Sequence, residues 1–147
     1  MSSAPPVVPS PVGQPDWFLQ LLVGWVNKLP LDFGITLHVA GFLVSGNLIG
    51  GAEYFSGFAS EFSGGFAGAP ELAESFRKAI ADLGETYKTD EKAMEEVDRP
   101  LPMFIHLKNA RYFNTGGNPI PGNRGVWWRG RISEVSGFTL GTLGGAS

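Results

Sequence analysis

Residues 34–51 read GITLHVAGFLVSGNLIGG. Apolar side chains alternate through Ile35, Leu37 and Val39, the chain meets Ala40-Gly41, and alternation resumes at Phe42, Val44 and Leu48. Period-two alternation on both sides of a glycine turn reads as a β-hairpin with one face buried. The second strand nevertheless gives up side chains at Gly46, and Gly50-Gly51 come directly after it. Glycine inside a strand marks a bulge, a sharp bend or a close backbone approach. The hairpin therefore belongs to a strongly curved sheet, with Gly41 making the turn and Gly50-Gly51 releasing the chain into a helical insertion.

Upstream, residues 1–15 form a Pro/Ser-rich tail with five prolines. Such a segment buries too little apolar area to offset its ordering entropy, so disorder is expected. It has no apolar run of the signal-peptide kind. Asp16 is a candidate N-cap for a helix over WFLQLLVGWVNKL, ended by Pro30. Phe18, Leu21, Leu22, Trp25 and Leu29 recur at helical spacing, while Trp17, Leu19 and Val26 add apolar bulk elsewhere. A helix apolar on all sides is either buried from several directions or carries a subunit interface. Trp17, Phe18, Leu21, Leu22, Trp25 and Leu29 are the interface candidates.

Downstream of the hairpin, Phe55, Phe58, Phe62 and Phe66 give a helical stripe, weakened at Gly57 and ended at Gly64-Gly65. Core packing explains this stripe better than a cofactor box. Pro70 with Glu71 and Glu74 opens a further helix, striped by Leu72, Phe76, Ile80 and Leu83 and expected to end with Gly84 at C′. Residues 85–99 hold six acids and three bases and read as a solvated connector with one short helix near 89–97. Alternation returns in MFIHLKNARYF (103–113), with Ile105 and Leu107 on one side. A Gly/Pro loop precedes VWWRGRI and SGFTLGTL, two more strands about a bend at Gly130 or Ser133. Residues 144–147 form a frayed tail. The expected fold is α+β, a small bent five-stranded barrel over residues 16–143. An N-terminal helix precedes it, and a helical, charged insertion at about 52–99 separates strands two and three.

Chemistry is sparse. The chain has 147 residues, no cysteine and a net charge of −3. Disulfides, thiol nucleophiles and cysteine-held metals are excluded. No nucleophile-elbow, phosphate-loop, dinucleotide or metalloprotease pattern occurs. His38 and His106, without a neighbouring acid, make a poor metal site and read as ordinary strand histidines. No cofactor is expected, and the longest apolar run is too short for a membrane span. Between residues 100 and 133 lie five bases and no acids. Lys108, Arg111, Arg124, Arg129 and Arg131, interleaved with Trp127 and Trp128, could stack bases and hold phosphates. The alternative has the arginines lying over the tryptophans of the barrel or pairing with the acidic connector. An overall acidic charge weighs against a nucleic-acid surface.

The strand grammar resembles the Sm-like fold, in which an N-terminal helix precedes a bent five-stranded barrel. ITLHVAGFLVSGNLIGG is similar to its first motif, FIHLKNARYF to its third strand, and Arg129-Gly130 in WWRGRI to the Arg-Gly step of its second motif. The acid–amide loop of its RNA-binding members is replaced by GGAEYF, so the RNA pocket is not carried over. A broader resemblance covers nearly the whole chain after the tail. WFLQLLVGWVNKLPLDFGITLHVAGFLVSGNLIGGAEYF together with HLKNARYF and GVWWRGRISEVSGFTLG resembles the gas-vesicle accessory protein U (GvpU) family. That resemblance implies a non-enzymatic, cytoplasmic, self-associating bacterial protein that contacts gas vesicles and organises their clustering. Homo-oligomers and the gas-vesicle shell or other gas-vesicle proteins are the partners it implies.

Overall fold

The computed structural model describes residues 13–66, 68–87, 101–116 and 124–143. The tails at 1–12 and 144–147, the helix expected near 89–97 and most of the Gly/Pro loop lie outside these residues. Helix α1 spans Trp17–Lys28, and the hairpin strands are β1 (Phe33–Val39) and β2 (Phe42–Ile49). Helices α2 (Gly51–Ser63) and α3 (Pro70–Leu83) come next, then β3 (Phe104–Phe113), β4 (Val126–Arg131) and β5 (Val135–Leu140).

All five strands join one antiparallel sheet in the order β4-β3-β2-β1-β5. The turn between β1 and β2 holds Ala40 and Gly41 at φ of 50° and 84°. Two left-handed residues match the twist of a tight hairpin. The expected barrel is not closed, because β4 and β5 lie at opposite edges with no ladder between them among the described residues. The sheet is nonetheless tightly curled. The edge strands of a flat five-stranded sheet stand about 19 Å apart. Only a 3-10 turn at Ile132–Glu134 joins β4 to β5, and the chain from Arg131 to Val135 reaches at most about 14 Å. The edges must curve toward each other for that link to exist.

Bulges supply the curl. β3 carries an extra residue against both neighbours, and Asn109 there adopts a φ of 54°. Gly46 faces this bulge. A Cβ at Gly46 would stand 2.8 Å from the Lys108 carbonyl oxygen and 3.0 Å from the Ala110 Cα. The strand gives up a side chain because the bulged backbone of β3 occupies its place.

The core fills the inner face of the curl. Ile35, Leu37, Val44, Leu48, Ile105, Leu107, Ala110 and Ile132 pack there beneath Leu19, Val23 and Val26 of α1. On the outer face, α2 covers β3 and β4. Trp127 lies so close to Gly57 that a Cβ there would meet the indole at 2.2 Å, so the residue that lowers α2's helix propensity makes room for a tryptophan. The stretch after β5 covers the outer face of the hairpin. Thr36 donates to the Gly141 carbonyl at 2.8 Å, and the Leu143 N–H donates to Ser45 Oγ at 2.7 Å. Gly84 differs from expectation. It keeps a right-handed φ of −73° and passes α3 into a 3-10 turn at Gly84–Tyr87.

Candidate functional site

Helix α1 is capped as expected, with the Leu19 N–H donating to Asp16 Oδ2 at 3.0 Å. It is not buried from several directions. Leu19, Val23 and Val26 meet the sheet, and Gln20 donates to the Pro102 carbonyl at 2.8 Å, tying the helix to the approach of β3. The other row faces out. Trp17, Phe18 and Trp25 are 43%, 45% and 47% exposed, Leu29 is exposed beside them, and Leu21 and Leu22 are half-buried. Both rows have helical spacing, and the row nearest the sheet is the aliphatic one. The outward row continues onto β5 through a Phe18–Phe138 ring contact at 5.9 Å. A contiguous apolar patch thus runs from α1 to an edge strand that has no ladder partner on one side among the described residues. Patches of this kind mark interaction sites.

The basic residues do not gather into one cradle. The Lys108 ammonium lies 2.8 Å from Glu53 and 3.6 Å from Asp32. Its hydrogen bond with Glu53, followed by the nearby acidic charges, holds its pKa above the ordinary lysine value. Arg129 lies over Phe104 at 3.9 Å and Phe55 at 5.3 Å, so it stacks on phenylalanines rather than on the tryptophans. Trp127 is half-buried beneath Gly57, and Trp128 packs against the core. Arg111, Arg124 and Arg131 are exposed on β3, ahead of β4 and at its end. The two indoles are occupied by packing, so neither is a free stacking platform for these arginines.

One buried group was read from sequence as unremarkable. His38 is exposed, but His106 is fully buried on the outer face of β3. Tyr54, Tyr87 and Phe55 surround it at ring distances of 4.7, 5.4 and 5.9 Å. Arg129 Nη1 lies 2.7 Å from its Nε2 and 3.3 Å from the Tyr87 hydroxyl. A guanidinium can only donate, so Nε2 accepts and the ring proton sits on Nδ1. Nδ1 is buried without a partner among the described residues. Burial first, and the Arg129 charge second, lower the pKa of His106 to about 3. Burial likewise raises Tyr54 above the usual tyrosine value, partly offset by Arg129. A histidine held neutral in this way is a poor general base at neutral pH. It serves as a polar pin between the sheet, α2 and the turn at Tyr87. Its position between Ile105 and Leu107 was visible in the sequence; the aromatic lid from α2 was not.

Among the described residues no group of three or more His, Asp or Glu is placed to hold a metal ion. None of their helices is long and apolar enough to cross a membrane. Residues 16–143 match the family model described as gas vesicle protein GvpU-like. No curated protein and no solved structure matches the chain. With most of its length covered, the chain belongs to the gas vesicle GvpU-like family.

Proposed function

We propose that this GvpU-like protein is a non-enzymatic gas-vesicle accessory protein that acts by associating with itself and by contacting gas vesicles. The observation that carries the reading is the outward aromatic row of α1, Trp17, Phe18 and Trp25, continuous with edge strand β5. Large aromatics dominate interface energetics when they become desolvated. Strands β4 and β5 add two ladder edges that a second copy can extend by strand addition. The homo-oligomer uses the α1 row and these edges, and the assembled surface meets the vesicle shell.

The test is a vesicle-clustering assay with light scattering on the purified protein. The wild type is expected to form an oligomer and to cluster purified gas vesicles. A Trp17→Glu/Trp25→Glu chain is expected to do neither while keeping its circular dichroism spectrum. A wild-type monomer at micromolar concentration, or clustering unaffected by the substitutions, sinks the reading. The nucleic-acid alternative predicts salt-sensitive RNA binding that falls when Arg129 and Arg131 are replaced by Ala.

A further inference from the structure

Helix α3 buries none of its residues, and its principal neighbours are α2 and the 3-10 turns at either end. Its apolar row stays open, with Leu72, Phe76 and Leu83 being 47%, 40% and 58% exposed. Exposed side chains of α2 continue the row. Phe76 meets Phe62 at 6.1 Å, and Phe62 stacks on Phe58 at 6.0 Å. The rows of two packed helices make a platform on which a third helix can lay its own apolar stripe. Acids flank this platform. Glu61, Glu71 and Asp82 are exposed, and each directly precedes an apolar member, Phe62, Leu72 and Leu83. We propose that the α2–α3 platform docks a basic amphipathic helix of a different protein. The apolar face of that helix covers the exposed phenylalanines and leucines, and its lysines or arginines meet the flanking acids.

Charge selects this occupant. Residues 51–87 hold six acids, Glu53, Glu61, Glu71, Glu74, Asp82 and Glu85, against two bases, Arg77 and Lys78, a net of −4. Both bases are engaged within α3, Arg77 by Glu74 and Lys78 by Asp82. Lys108 of β3 offsets Glu53. Such a field repels nucleic acid and anionic lipid, and it repels a second arm of the same charge. The rest of the described chain does not supply the partner either. Helix α1 also has an exposed apolar row, but its single base is Lys28. Arg111, Arg124 and Arg131 stand on β3, ahead of β4 and at its end, rather than along one helix. A contact between copies therefore lacks a basic amphipathic helix.

The two parts of the platform have separate tasks. Exposed acids act within a Debye length of about 8 Å at physiological ionic strength, so they steer and orient the partner. Burial of the apolar row holds it, as in other helix-in-groove contacts. The site does not rest on the α1 reading above, since it lies on separate helices.

The probe is a synthetic amphipathic helix with leucine on one face and lysine on the other, set against a glutamate version of the same design. By fluorescence anisotropy, the leucine/lysine helix is expected to bind the full-length protein, several-fold more weakly at physiological than at low salt. The leucine/glutamate helix is expected not to bind. Leu72→Ser/Leu83→Ser is expected to weaken binding several-fold at either salt, and Glu61→Gln/Glu71→Gln mainly at low salt, both with the wild-type circular dichroism spectrum. Location is read separately. The chain has no cysteine, so a photocrosslinker can be placed on Ala79→Cys, exposed beside the apolar row, or on Glu134→Cys, exposed on the turn after β4. Crosslinking to the peptide is expected from the first position and not from the second. Equal crosslinking from both, crosslinking from Ala79→Cys to a second copy in place of the peptide, equal affinity for the glutamate helix, or binding that neither double variant weakens overturns the proposal. A Trp25→Glu chain is expected to bind the peptide as the wild type does. Loss of binding there seats the peptide on the α1 row and sinks the platform, whatever becomes of self-association.

Discussion

At the scale of single residues, Gly46 and His106 show how a local oddity records a distant neighbour. The space at Gly46 is taken by the backbone of β3, which cannot rotate away as a side chain could. Gly46→Ala is therefore expected to destabilise the fold by about 1–3 kcal/mol, the usual cost of overpacking, read as a lower urea midpoint. Gly41→Ala meets no atom and introduces a different cost, the left-handed φ alone. For His106 the sign follows from its lowered pKa. The folded chain keeps the ring neutral down to about pH 3, whereas the unfolded chain protonates near pH 6.5. Its contribution is complete above that upper value and is lost as pH falls, at roughly 1.4 kcal/mol per pH unit while only the unfolded chain binds the proton. His106→Phe is expected to make stability less steep in pH between about 6 and 4, measured by urea unfolding at each pH. An unchanged slope would show that the histidine is not the group responsible. The glycine's meaning was partly legible, since a glycine in a strand announces close approach. The histidine's was not, because its burial comes from α2, 50 residues earlier in the chain.

At the scale of elements, α1 separates fold from surface. Leu19→Ala removes a fully buried side chain and is expected to cost about 2–5 kcal/mol. Trp25→Ala is expected to change unfolding stability by no more than about 0.5 kcal/mol in the monomer, as exposed positions do. Chemical denaturation of the two variants checks both. The hairpin was readable to within a residue or two because period two leaves little choice of face. The buried side of α1 was not, because apolar residues fill more than one row and periodicity cannot rank rows of equal spacing. The phenylalanine stripe shows the same limit. Its spacing fits a helix, yet Phe58 and Phe62 remain exposed, since they face away from the sheet and α3 covers them only in part. What α1 and α2 bury was decided by which side chains fit against the sheet.

For the whole molecule, the strand count and the order of helices were legible, but the sheet order and its incomplete closure were not. Nothing local in β5 announces that it pairs with β1, because that ladder joins residues about 100 apart, such as Ile35 and Leu140. A chain ending after Glu134 is expected to be mostly insoluble, because Leu37 loses its neighbour Phe138 and the edge of β1 lies bare. A soluble truncated protein with the native circular dichroism spectrum would contradict this. The same ladder has a consequence during synthesis. At about 5–20 residues per second, β1 waits roughly 5–20 s for the strand that covers it. Through that interval the growing chain carries an uncapped strand reading FGITLHV, and neighbouring chains on one messenger carry the same strand at the same time. Expression level and translation speed therefore bear directly on yield, and a slower ribosome lengthens the hazard.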